Sequence, residues 1–148
     1  MQQTVKKNNR KSASICAIAL VWFFALLHSH EVYTKNNSGE IKTITALELK
    51  GILDSDQNTV VVNVLSPESY NNCHIAGSIN IPINELVQKT IDWKKNRKIV
   101  VYCASLKCSA GDIAYNKLIQ LGFTNVLEYK GGMKEWREMG LETEGSCD

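Results

Sequence analysis

Two short runs constrain the fold more than anything else in the sequence: residues 60–64 (VVVNV) and 98–102 (KIVVY). Both are dominated by β-branched side chains, and neither shows the polar alternation of a strand with one wet face. Such strands need apolar cover on both sides, which points to a parallel sheet between layers of helix. The intervening sequence supplies that cover. Thr45 can N-cap a helix with Glu48 as its capping-box partner, and Ser66-Pro67-Glu68 opens a short helix with proline at the first helical position. Residues 83–96 read as an amphipathic helix, and a further helix runs from about 109 to 121, ended by Gly122. Shorter strands are expected at 41–44, 77–82 and 125–129, and Gly131-Gly132 turns the chain into a last short helix around 135–139. The predicted class is α/β: a three-layer sandwich with a mostly parallel central sheet and helices on both faces.

A chain of 148 residues has room for one ordinary domain. Its net charge of +2 is unevenly spread. Residues 1–39 carry five Lys/Arg against one Glu, and the remainder carries twelve against fourteen acids. The mildly acidic remainder argues against a nucleic-acid partner. At the N-terminus, Lys6, Lys7, Arg10 and Lys11 precede the apolar run 13–27, ASICAIALVWFFALL. At a helical rise this run spans roughly 22 Å, short of the roughly 30 Å of a hydrocarbon core. Its length suits a signal peptide, yet no clean small-x-small cleavage site follows. Two readings stay open: a cleaved signal, or a short anchor that attaches the protein to the membrane through residues 13–29. Either one exports the domain, giving an extracytoplasmic location, periplasmic if the source is bacterial. The expected divisions are 1–30 signal peptide or anchor, 31–40 polar tether, 41–142 domain and 143–148 C-terminal tail.

Of five cysteines, Cys16 lies in the export segment, leaving Cys73, Cys103, Cys108 and Cys147. Four cysteines in an exported domain allow three disulfide pairings, and sequence does not choose among them. Cys103 is placed most tellingly, at the carboxyl end of a buried strand and just before a helix opened by Ser109. Loops at that edge of an α/β sheet present unpaired N–H groups. Ala104 and Ser105 are small enough for a tight loop whose amides point inward, a setting expected to hold Cys103 as a thiolate and to stabilise a persulfide.

The span from Ile41 to about Leu141 resembles a rhodanese homology domain. VVYCASLKCSAGDIAYNKLIQLGFTNV resembles that family's strand, active-site loop and helix, VVNVLSPESYNNCHIAGSINIP its upstream motif, and YKGGMKEW its C-terminal signature. The resemblance implies a sulfurtransferase with Cys103 as the sulfur-carrying nucleophile. It also implies a substrate-binding loop of Ala104, Ser105, Leu106, Lys107 and Cys108, to which Ser109 at the helix start is added. Where the family usually has Asp-x-Arg, this chain has Asn63-Val64-Leu65, and where the loop often has Gly and Arg it has Leu106 and Cys108. Lys107 is the loop's only cation, so an anionic donor meets little positive charge. The phosphate-binding Arg of tyrosine-phosphatase-type loops is also missing, since Ser109 stands in its place.

Three functional readings follow. In the first, Cys103 carries sulfane sulfur as a persulfide from a small sulfur-containing anion, thiosulfate or polysulfide, to a thiol or cyanide-like acceptor. In the second, Cys103 and Cys108 form a thiol–disulfide redox pair served by a reductant. In the third, the domain binds without catalysing. Cys108 itself reads either as a thiol able to resolve a persulfide or as a small apolar residue facing the core. No cofactor is implied, because sulfur transfer by a cradled thiolate needs neither a metal nor a nucleotide and no Gly-rich phosphate fingerprint is present, and adjacent Cys73-His74 lacks the second ligand pair of a metal site. His74 is expected to order the turn before Gly77. Trp93 and Trp136 are expected on helix faces as core or groove aromatics, and residues 94–98 as a solvated basic loop.

Overall fold

A computed structural model describes residues 40–147. The expected export segment with Cys16, Trp22, His28 and His30, and the expected tether up to residue 39, lie outside the described residues. No helix among the described residues is long and apolar enough to cross a membrane.

The chain alternates strand and helix: β1 (Thr43–Ile44), α1 (Ala46–Ser55), β2 (Val60–Asn63), α2 (Pro67–Asn72), β3 (Cys73–Ile75), β4 (Ile79–Asn80), α3 (Leu86–Thr90), β5 (Ile99–Tyr102), α4 (Ala110–Gln120), β6 (Val126–Tyr129), α5 (Gly132–Glu138) and β7 (Thr143–Gly145). Five strands form a parallel sheet in the order β1-β6-β5-β2-β4. The two β-branched runs lie side by side in its interior, with Val61 opposite Val100 and Val62 opposite Val101.

Their lack of alternation now has its cause. Val62, Ile99 and Val101 face one core with Ala114, Tyr115 and Leu118 of α4. Val61, Val100 and Tyr102 face another with Leu49 of α1 and Met133 and Trp136 of α5. Each fully buried aliphatic side chain contributes about 1.5–3 kcal/mol, so neither layer of helix is dispensable. The capping box at Thr45 is present in both halves: the Glu48 N–H donates to Thr45 Oγ1 at 3.3 Å, and the Thr45 N–H donates to Glu48 Oε2 at 2.7 Å. Ser66 caps α2, with Pro67 at its start.

Three expectations are corrected. The helix expected over 83–96 is confined to Leu86–Thr90. Thr90 turns its hydroxyl back onto the Leu86 carbonyl at 2.7 Å, and the Trp93 N–H closes a tighter turn on Thr90 at 3.1 Å. Residues 143–147 are part of the fold rather than a tail, because β7 pairs antiparallel with β3 and a Cys73–Cys147 disulfide ties the two together. His74 does not order the turn before Gly77. Its Nδ1 donates to the Tyr70 carbonyl at 2.8 Å, its ring stacks on Tyr70 and its Nε2 lies 3.1 Å from Glu144. That turn is held by Ser78, whose N–H and hydroxyl both donate to the Ile75 carbonyl at 3.0 and 2.7 Å.

Candidate active site

Central strand β5 delivers Cys103 at its carboxyl end. The residues that follow make a compact loop: the Cys108 N–H donates to the Ser105 carbonyl at 2.9 Å, and α4 begins at Ala110. Ser109 occupies the position before α4 but makes no side-chain capping bond. Ala104, Lys107 and Ser109 are exposed, as is Leu106, at 71%.

A second element fastens the loop from behind. Two N–H groups at the start of α5 donate into it, Met133 to the Cys103 carbonyl at 3.0 Å and Lys134 to the Ala104 carbonyl at 2.9 Å. Gly132 makes this approach possible. Its φ is +63°, and a Cβ there would lie 2.6 Å from both the Cys103 carbonyl oxygen and the Ser105 nitrogen. The glycine pair was legible in the sequence as a turn, but its function as the seat of the loop was not.

The electrostatics of the two thiols differ from expectation. Cys103 is buried, with 2% of its surface exposed, and its Sγ lies 3.3 Å from the Cys108 carbonyl and 3.8 Å from the Ser105 carbonyl. Burial and then the neighbouring Cys108 push its thiol up to about 11, against the opposing N–H groups of Gly111 and Ser105. Cys108 is only partly buried, and its thiol is lowered. Burial works against that lowering, but the Cys103 thiol and the N–H groups of Ala104, Ala110 and Gly111 all stabilise the Cys108 anion. The amide ring therefore favours charge on the second sulfur of the loop. The resting Cys103 thiolate expected from the sequence is opposed by burial, although the N–H groups of Gly111 and Ser105 reach that sulfur too. Both cysteines are free thiols, and each shifts the acidity of the other.

Upstream, Asn63 fills the place of the missing carboxylate in one respect: its Oδ1 accepts the Leu65 N–H at 2.9 Å. Leu65 packs against the apolar core where the guanidinium would have been. The positive charge beside the loop comes from Lys107 within it and from Lys130 and Lys134 outside it. Lys107, Lys130 and Lys134, with Thr43, Leu106 and Glu135, line an open groove of about 580 Å³ beside the loop. Beneath α4, sequence reasoning missed a buried carboxylate, Glu128 on β6, which is 1% exposed and 3.9 Å from Lys130, itself paired with Asp112. Burial, and next the Asp112 carboxylate, push Glu128 up to about 7. An acidic residue inside VLEY was the only signal for it. Among the described residues, no cluster of three or more metal-ligating side chains exists.

The family model for the rhodanese-like domain matches residues 45–139. The chain belongs to the rhodanese-like family. The thiosulfate:glutathione sulfurtransferase of Saccharomyces cerevisiae is 27% identical over 118 residues, which cover 70% of this chain and 84% of the yeast protein. YrkF of Bacillus subtilis is 27% identical over 104 residues, 70% of this chain, and the chain spans 55% of the length of that relative. The solved rhodanese-like domain of Anabaena Alr3790 superposes with a TM-score of 0.65 at 33% identity, covering 71% of this chain and 80% of that one. The rhodanese-like fold, a mostly parallel sheet with helices, is thus common to this chain and its structural relatives.

Proposed function

We propose that this rhodanese-like domain is a sulfurtransferase in which Cys103 accepts a sulfane sulfur from thiosulfate or polysulfide and passes it to a thiol or cyanide-like acceptor. The observation that carries the reading is the position of Cys103: at the carboxyl end of the central strand, inside a closed loop, with amides of Ser105 and Gly111 reaching its sulfur. A sulfur relative that is itself a thiosulfate:glutathione sulfurtransferase supports the same chemistry.

The buried setting of Cys103 narrows the donor. Only a slender molecule with a terminal sulfane sulfur can reach it, and of the groove lysines Lys107, which has no ion-pair partner among the described residues, is the cation an anionic donor meets. The Cys103–Cys108 pair supplies the nucleophile without a histidine. Cys108 gives up its proton more readily than Cys103, so a proton passed from Cys103 to Cys108 puts the charge on the inner sulfur as it attacks. The cycle starts from the anionic pair. Cys103 takes the outer sulfur of thiosulfate, sulfite leaves with the bonding pair, and the persulfide anion remains under the loop amides.

Export of the domain is part of the same proposal. The Cys73–Cys147 disulfide is the kind of bond that persists outside the reducing cytosol, in keeping with the basic and apolar N-terminal sequence. The test is mass spectrometry of the reduced protein after exposure to thiosulfate or to inorganic polysulfide. A gain of one sulfur atom at residue 103 in Cys108→Ser, absent when Cys103 is also replaced by Ser, is the expected result. No gain with either donor refutes the assignment.

A further inference from the structure

We infer that Cys108 is the resolving thiol of this site: it attacks the Cys103 persulfide, releases the carried sulfur as sulfide, and leaves a Cys103–Cys108 disulfide to be reduced by an external dithiol. The inference rests on the persulfide reading above and names what that reading leaves open, the fate of the sulfur.

The geometry supports it from several sides. The Ser105–Cys108 turn folds the loop back on itself, so that the Cys108 carbonyl comes within 3.3 Å of Cys103 Sγ, and both residues pack into the same apolar cluster. A disulfide needs Cα atoms within about 7 Å, and the turn that carries the Cys108 backbone to Cys103 Sγ brings the two residues toward that range. Both are free, so the bridge is available to form and to open. Cys108 is only partly buried and packs, as its place at a helix start allowed, against the apolar cluster that contains Cys103. Its side chain therefore lies on the same side of the loop as the carrier sulfur. The carrier sulfur behind it is too enclosed to meet a large acceptor directly, whereas Cys108 reaches it from within the same loop.

The step balances. In the loaded state Cys103 bears a persulfide anion and Cys108 a thiol. Cys108 sulfur bonds to Cys103 Sγ as the bond between Sγ and the terminal sulfur breaks, and the Cys108 proton leaves with the terminal sulfur as hydrosulfide. The sulfane sulfur is reduced by two electrons, and the two cysteines are together oxidised by two. A dithiol then restores the pair by thiol–disulfide exchange, becoming a disulfide itself. The overall reaction reduces sulfane sulfur to sulfide at the expense of a dithiol. Without Cys108, the domain holds its sulfur until an outside thiol removes it.

The experiment uses thiosulfate and inorganic polysulfide radiolabelled in the sulfane sulfur. Each is added to full-length protein that has been reduced and freed of reductant, with no acceptor thiol present. Wild type is expected to release labelled sulfide stoichiometrically and to lose two hydrogens in the peptide linking Cys103 and Cys108. Cys108→Ser, read at its end point so that slower loading does not matter, is expected to keep the label on Cys103 and release none. A wild type that retains the persulfide beside a free Cys108 overturns the relay and leaves the sulfur-carrier reading standing. So does Cys108→Ser releasing sulfide as wild type does. Failure of both proteins to take up label from either donor overturns both conclusions.

Discussion

Replacing Gly132 by alanine tests the seating of the active-site loop, and Gly77 provides its control. Both glycines have left-handed backbone, with φ of +63° and +74°. An alanine Cβ at 77 meets nothing within 4 Å, whereas at 132 it would lie 2.6–2.7 Å from backbone atoms of Cys103, Ser105 and Ala104. Gly77→Ala should therefore cost only the left-handed penalty, about 1 kcal/mol. Gly132→Ala should add the separation of α5 from the loop. That separation breaks the Met133-to-Cys103 and Lys134-to-Ala104 hydrogen bonds, at about 1 kcal/mol each. The expected totals are about 1 and about 3 kcal/mol. Urea unfolding reads them as midpoint shifts, and with a slope of about 1–3 kcal/mol per molar the second variant should melt about 1–3 M earlier. Equal shifts for the two variants would show that the close approach at Gly132 carries no energy, and the account of the loop's support would fall with it.

Three further outcomes follow from the site and its surroundings. Limited alkylation near neutral pH, mapped by peptide, should modify Cys108 before Cys103, because the first is more exposed and its thiol is lowered while that of the second is raised; the reverse order contradicts the charge placement. Cys147→Ser should lose about 2–4 kcal/mol of stability by opening a cross-link between residues 74 positions apart, and reductant should bring wild type to the same midpoint. Glu128 binds its proton more tightly folded than unfolded, its acidity shifting from 4.5 to about 7. Stability should therefore fall as pH rises across that window and level off above it, by an amount on the order of 3 kcal/mol. Glu128→Gln should flatten the slope and be the more stable protein at pH 8, and parallel pH curves would refute this.

The sequence revealed those features whose causes are local. VVVNV and KIVVY could only be strands covered on both faces, and Thr45-x-x-Glu48 wrote its own helix start. Gly131-Gly132 marked a turn. What escaped depends on partners distant in the chain. Cys73–Ile75 is three buried residues without alternation, and Thr143–Gly145 ends in glycine. Neither looks like a strand until the other lies against it, which is also why sequence could not choose the disulfide. The reverse error occurred at 83–96, where periodic apolar residues suggested a long helix. The Thr90 hydroxyl and the Trp93 turn end it early, and Trp93 packs against the core under the Arg97 guanidinium, 4.7 Å from its ring.

At the site, the position of Cys103 was legible because strand ends and small loop residues are sequence features. Which of two sulfurs the amides would favour was not, since that turns on the path of five loop residues. The deciding contacts, such as Cys103 Sγ against the Cys108 carbonyl, involve backbone atoms whose directions no residue type specifies. Glu128 was overlooked for a related reason: its burial comes from the start of α4 folding over it, seventeen residues earlier in the chain.

Strand β5 is held by backbone hydrogen bonds to β2 on one side and β6 on the other, through its full length. Amides so placed are the last to trade hydrogen with solvent, exchanging only when the whole domain comes apart. Cys103, one residue beyond that strand, is thus anchored to the least yielding part of the molecule, while the groove and the protruding Leu106 lie at its rim.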